Sequence, residues 1–299
     1  MRLLCSGLLA AILLTSIIAL YPAGNSRSTN FASLQSKRIS PSDLELGGAI
    51  AGLSPGTTRY VARDALLALP QASYTVTGDP NFTGPTQVSG VLLEDLFRHL
   101  GAASADLMVA ICADLYRANY SRTYLAAHHP LLALTVNGKP PADWPKDAEG
   151  HGSEMGPYLI SHPDFTPTFR ILSHEEEPQI PWRVVRIEFR DEKTVFGAIA
   201  PRGPHATEPA VQAGYRIAQQ NCFRCHNMGR EGGRKSGRPW LVLSAWATAS
   251  PEYFAAYVHN PQAQNTHAQM PGNPGYDDTT IGALIAYFQT FSPQGKEKP

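Results

Sequence analysis

The chain has 299 residues, with 25 basic and 25 acidic side chains and no net charge, which argues against a nucleic-acid-binding surface and against a charged, disordered tail. Hydrophobic residues make up 43%, enough to fill two cores, and the length allows two domains of ordinary size. The 25 prolines and 25 glycines point to many loops and short strands rather than a helical bundle.

Met1-Arg2 precedes an apolar run from Leu3 to Tyr21. One positive charge before such a run predicts an export signal over residues 1–24. About 18 apolar residues can also span a bilayer, so a cleaved signal and an uncleaved N-terminal anchor both stay open. No other membrane contact is expected. Of the four cysteines, Cys5 lies in this segment and Cys222 and Cys225 share a motif. Cys112 is left alone, so no structural disulfide is expected.

Residues 25–58 are rich in Ser, Gly, Asn and Thr and read as a linker. A first domain is predicted over residues 59–196. Tyr74–Thr77 is a short strand candidate before the turn residues Gly78-Asp79-Pro80. Leu92, Leu93, Leu96, Phe97 and Leu100 recur at helical spacing, and Gly101 closes that helix. Leu107–Cys112 and Leu131–Val136 are buried strand candidates, the second ending at the turn signal Asn137-Gly138. Tyr158–Ile160 and Arg183–Phe189 follow. In the last, Val185, Ile187 and Phe189 face one way, and Arg186 and Glu188 the other. Strands dominate, so the domain is α+β and mainly β.

Tyr116, Arg117, Asn119, Tyr120, Arg122 and Tyr124 form a polar-aromatic cluster, the expected lining if this domain holds a small-molecule ligand. His128, His129, His151, His162 and His174 are scattered and are read as surface-loop and satisfied core groups rather than a metal site, which needs at least three converging ligands. Cys112 is expected to be an ordinary buried strand residue.

The order of segments carries a resemblance. Val88-Ser89-Gly90-Val91-Leu92-Leu93, Cys112-Ala113-Asp114-Leu115-Tyr116, Asn137-Gly138-Lys139-Pro140 and Gly156-Pro157-Tyr158-Leu159-Ile160 succeed one another. In that order they resemble the molybdopterin-binding fold of the sulfite oxidase superfamily. That family ligates molybdenum through a cysteine upstream of the first segment. No cysteine lies between Asn25 and Gly90, and the glycine of the family's "D-G-Y" is Leu115 here. The resemblance therefore implies the fold without molybdopterin.

Pro201, Gly203 and Pro204 mark residues 197–206 as a stiff linker, at which two separable domains are predicted to part. Glu208–Asn221 reads as a helix leading into Cys222-Phe223-Arg224-Cys225-His226. This is the C-x-x-C-H pattern that attaches haem c. Two thiols one short turn apart can join two vinyl groups of one porphyrin, and the next residue, His226, can turn its imidazole onto the iron. Zinc needs four ligands, and no second Cys pair exists.

A second domain is predicted over residues 207–299, of which 207–292 resemble class I cytochrome c, an all-α fold. The resemblance implies that Gly214 lets two helices cross closely and that Tyr287, on Leu284-Ile285-Ala286-Tyr287, packs there. In Gly237-Arg238-Pro239-Trp240-Leu241 it implies that the Pro239 carbonyl fixes the proximal imidazole and that Leu241 packs on haem. In Asn260-Pro261 and Gln269-Met270-Pro271-Gly272 it implies Met270 as the second axial ligand. His259, His267 and Met228 are the competitors. A thioether is soft and favours ferrous iron.

Two readings of function follow. The first is an exported, periplasmic monohaem cytochrome that passes single electrons through a His226/Met270-ligated haem c to a redox partner protein. Its accessory domain serves partner or small-molecule binding, and the chain is a carrier rather than a catalyst by itself. The alternative is a molybdenum-dependent, sulfite oxidase-like dehydrogenase with a fused cytochrome c acceptor.

Overall fold

The structure is a computed structural model that describes residues 34–147, 149–163 and 179–292. The expected export segment and His174 lie outside them. Chain order runs β1 (Leu44–Gly48), β2 (Arg59–Val61), α1 (Arg63–Leu67), β3 (Ala72–Val76), β4 (Thr86–Leu92), α2 (Leu93–His99), β5 (Leu107–Cys112), β6 (Arg117–Ser121), α3 (Arg122–His128), β7 (Leu131–Val136), β8 (Leu159–Ser161), β9 (Val184–Arg190) and α4 (Glu192–Gly197). The helical region follows: α5 (Pro209–Ile217), the small strands β10 (Asn227–Met228) and β11 (Glu231–Gly232), α6 (Trp240–Ala249), α7 (Pro251–His259), α8 (Pro261–Gln264) and α9 (Asp278–Gln289). None of these helices is long and apolar enough to cross a membrane.

The mainly-β region holds two sheets, in the orders β2-β1-β9-β5-β6 and β3-β4-β7-β8. All pairings are antiparallel except β1 with β9. One core joins the two sheets: Leu44, Leu46, Met108, Ala110, Ile187 and Phe189 from the first meet Val91, Leu132 and Leu134 from the second. The helix α2 adds Leu93, Leu96 and Phe97.

Two expectations are corrected. Residues 44–48, read as linker, form an interior strand of the five-stranded sheet, and Leu44 and Leu46 are fully buried. The segment is short and ends in two glycines, so composition hid it. Gly48 is required by close approach: a Cβ there would sit 2.0 Å from the Phe189 carbonyl oxygen.

The second correction concerns the expected linker at residues 197–206. All six residues of β5 are buried, because side chains alternate across a strand and both faces are covered. Met108, Ala110 and Cys112 enter the inter-sheet core. Leu107, Val109 and Ile111 enter a different core, shared with Ile217, Phe223, Trp240, Leu284, Tyr287 and Phe288 of the helical region. The expected linker is part of that core: Ile199 is fully buried, and its carbonyl accepts the Tyr287 hydroxyl at 2.6 Å. The Tyr215 hydroxyl likewise donates to the Phe196 carbonyl at 3.1 Å. The helical region is the second layer on the five-stranded sheet, and residues 196–199 at the expected boundary are packed into the core that the two parts share.

Candidate functional site

Helix α5 starts with Pro209 at its first turn, where a missing N–H costs nothing. It buries Val211, Gly214 and Ile217. It widens into a single π turn over Ala218–Cys222, closed by Phe223 N–H donating to the Ala218 carbonyl at 2.9 Å. The chain then winds once more: Cys225 N and His226 N both donate to the Cys222 carbonyl, at 3.2 and 2.9 Å. Residues three apart on such a turn share a face, which brings together the two cysteines, both free thiols. Burial pushes the Cys222 thiol up to about 12, with Cys225 adding to it, and burial raises the Cys225 thiol as well.

The next loop clamps this turn from behind. Gly233 N donates to the Phe223 carbonyl at 2.8 Å and Ser236 N to the Cys225 carbonyl at 3.0 Å. A Cβ on Gly233 would fall 1.7 Å from the Arg224 carbonyl oxygen, so only glycine fits. The loop ends by fixing His226, whose Nδ1 donates to the Arg238 carbonyl at 2.7 Å. His226 is buried, and burial holds its imidazole below the ordinary value; the Arg238 carbonyl opposes that shift and the Arg238 charge adds to it. A neutral imidazole with Nδ1 occupied offers Nε2 to a metal.

The acceptor is thus the carbonyl of Arg238, not that of Pro239. Pro239 opens α6, and its carbonyl takes Val242 N at 2.9 Å. Trp240 is fully buried, edge-on to Phe223 at 5.5 Å and against Phe288 at 5.0 Å. Leu241, beside it, is 52% exposed.

Met270 lies in the coil between α8 and α9, partly buried against the same apolar cluster. Its loop is pinned: Gln262 Nε2 donates to the carbonyls of Ala268 and Met270, at 3.1 and 3.0 Å. Asn221, next to Cys222, donates to the Tyr276 hydroxyl at 2.7 Å and ties the loop's exit to the cysteine turn. Among the competitors, His267 is exposed, while His259 and Met228 are partly buried. The donor set fits haem c: two free thiols on one turn, an anchored neutral imidazole after them, and Leu241 as an open apolar side chain beside that anchor.

The polar-aromatic cluster of the first domain does not line one pocket. Strand β6 alternates its side chains, and the cluster splits three ways. Tyr116 and Arg117 reach the cysteine turn and β11. Tyr120 and Tyr124 are buried; their hydroxyls meet the Gln179 carbonyl at 2.6 Å and His162 Nε2 at 2.9 Å. Asn119 exchanges bonds with the Gln179 side chain. Arg122 lies over the Phe97 ring at 4.3 Å and lines a surface depression of about 200 Å³ with Glu94, Phe97, Leu125 and Ala126. Cys112 is buried in the inter-sheet core, and burial raises its thiol strongly. Among the described residues, no group of three or more His, Cys, Asp or Glu side chains is placed to hold a metal.

One feature of the site was missed in the sequence. Glu231 of β11 pairs with Arg190 at 2.6 Å and Arg117 at 3.6 Å. Arg190 continues to Glu188 at 2.9 Å, and Glu188 to Arg186, which pairs with Glu45. The alternating Arg186, Glu188 and Arg190 on the outer face of β9 were its only signal.

Residues 209–288 match the family model of the cbb3-type cytochrome c oxidase subunit III. No curated protein matches the chain. The matched segment runs from α5 through nearly all of α9, and it is a cytochrome c domain, which implies haem c and electron transfer. The mainly-β region before it falls outside the match.

Proposed function

We propose that the chain is an exported, periplasmic carrier of single electrons with one haem c. Cys222 and Cys225 would hold the group covalently, and His226 and Met270 would ligate its iron. The observation that carries this reading is the His226 Nδ1 bond to the Arg238 carbonyl, one turn from two free thiols. When bound, the haem supplies a one-electron couple whose potential its axial ligands and burial set. The chain's own residues do the rest. The Arg238 carbonyl holds the imidazole's orientation and keeps its proton on Nδ1. The two Gln262 bonds hold the Met270 loop in place.

The first domain serves as a fixed platform against the cysteine turn, where a redox partner protein or a small molecule would dock. It would act without molybdopterin. Cys112, the cysteine left for a metal, points into a packed core with its thiol pushed up by burial, and a metal ligand has to be a thiolate. The chain would reach the membrane only through its N-terminal segment, as a soluble or anchored protein.

The experiment is purification from an exporting, haem-maturing host. Expected are one iron per chain, molybdenum at background, and a low-spin spectrum with the long-wavelength band of ferric haem bound to a thioether. Met270→Ala should remove that band and lower the potential. Loss of the band in His259→Ala or His267→Ala, with Met270→Ala unaffected, would overturn the ligand assignment. Stoichiometric molybdenum lost in Cys112→Ser would replace the carrier by the dehydrogenase.

A further inference from the structure

Arg224 is the residue between the two cysteines' turn and the first domain. Its backbone carbonyl accepts Arg117 N from β6 at 2.9 Å, and Arg234 N returns a bond to the Leu115 carbonyl at 2.9 Å. Leu115 sits with φ +68°, a left-handed conformation that a side chain disfavours, and this bond helps hold it there. The Arg224 guanidinium is turned inward: Nε and Nη2 are shut off from solvent. It is hydrogen-bonded with Tyr116, and its charge also reaches Tyr120, Cys222 and Cys225. These neighbours are neutral phenols and thiols. A cation among them is screened far less than one in water.

We infer that Arg224 is a potential-setting cation for the haem iron and that Tyr116, contributed by the first domain, is the positioning residue that keeps its Nε and Nη2 turned away from solvent. The inference rests on the haem c reading above. Oxidised haem iron carries one more positive charge than reduced iron, so a fixed cation beside the thioethers disfavours the oxidised form and raises the potential. The first domain then has a role in the chemistry of the second: it helps shut two nitrogens of Arg224 off from water and anchors the guanidinium on a phenol.

The test is a spectroelectrochemical titration of the full-length holoprotein at low and high salt. Arg224→Gln should shift the oxidised-to-reduced ratio at a fixed potential by up to about tenfold, which is about 59 mV for one electron. Arg224→Lys should keep more than half of the effect. Tyr116→Phe should shift the ratio in the same direction by less, and should add nothing in the Arg224→Gln background. The shift should largely persist at high salt, because a partly buried charge is screened much less than an exposed one. Unchanged potentials in Arg224→Gln with an intact spectrum would overturn the inference. So would a shift that vanishes in salt, or a Tyr116→Phe effect that is the same with and without Arg224. Should Arg224→Gln fail to load haem, Tyr116→Phe lies outside the attachment motif, and an unchanged potential there is equally decisive. A wild-type protein that takes up no haem would instead sink the carrier reading itself.

Discussion

Gly214 lies so close to Tyr287 that a β-carbon on the glycine would come within 2.7 Å of the tyrosine's own Cβ. The same β-carbon would fall 2.0 Å from the Ala283 carbonyl oxygen. Backbone cannot yield as a flexible side chain can, so Gly214→Ala has to push α5 away from α9. Overpacking of this kind costs about 3 kcal/mol. The expected result is a lower melting temperature of the haem-loaded protein, followed by loss of the native low-spin haem spectrum. An unchanged melting curve would mean that the helices cross further apart.

The shared core predicts a single unfolding event. Val109 faces the helical region while Met108 and Ala110 face the inter-sheet core, so neither part can lose β5 alone. Sheet signal and the native low-spin haem spectrum should therefore be lost at the same denaturant concentration, as in a single cooperative transition. A fragment of residues 207–299 should be insoluble or readily proteolysed, because Phe223 would lose its contact with Phe196, at 6.1 Å between ring centres. Two well-separated transitions would refute this.

Much of this was legible in the sequence, and the failures have physical causes. The unbroken apolar run Leu107–Cys112 announced a strand buried on both faces, but a run cannot say what covers the second face. The C-x-x-C-H turn was readable because covalent chemistry fixes its spacing. The carbonyl that holds His226 was displaced by one residue, from Pro239 to Arg238, because backbone acceptors leave no side-chain signature. Strand β1 was invisible because its parallel partner β9 is 141 positions away, as in the pair Glu45↔Arg186, and nothing local marks that pairing. The cluster from Tyr116 to Tyr124 looked like one site only because neighbours in sequence leave a strand on opposite faces.

Glu231 answers two arginines, Arg190 and Arg117, with side chains 15–24% exposed. Glu231→Gln leaves both guanidiniums partly desolvated without their shared carboxylate. The cost lies between that of a surface pair and that of a broken buried one, about 1–2 kcal/mol. It should appear as a lower denaturant midpoint with an unchanged slope, and the deficit should shrink at high salt. A midpoint equal to wild type at low salt would show that the chain of ion pairs only decorates the interface.

His162 predicts the acid behaviour of the first domain. It is buried, with Nε2 bonded to the Tyr124 hydroxyl at 2.9 Å. Burial, and then the nearby His128, holds its folded-state pKa down at about 3. The unfolded chain should titrate near the ordinary histidine value, about 6.5. Above that value both states are neutral and His162 contributes nothing to the pH dependence. Below it the unfolded state takes a proton that the folded state refuses, so stability falls as pH falls, until the folded-state pKa is reached. The slope from this one group approaches about 1.4 kcal/mol per pH unit. His162→Gln removes the titration and keeps a polar group opposite Tyr124. Denaturant melts from about pH 7 down to about pH 4.5, within that window, should show a shallower decline for the variant than for wild type. Parallel curves would assign the acid sensitivity to another group.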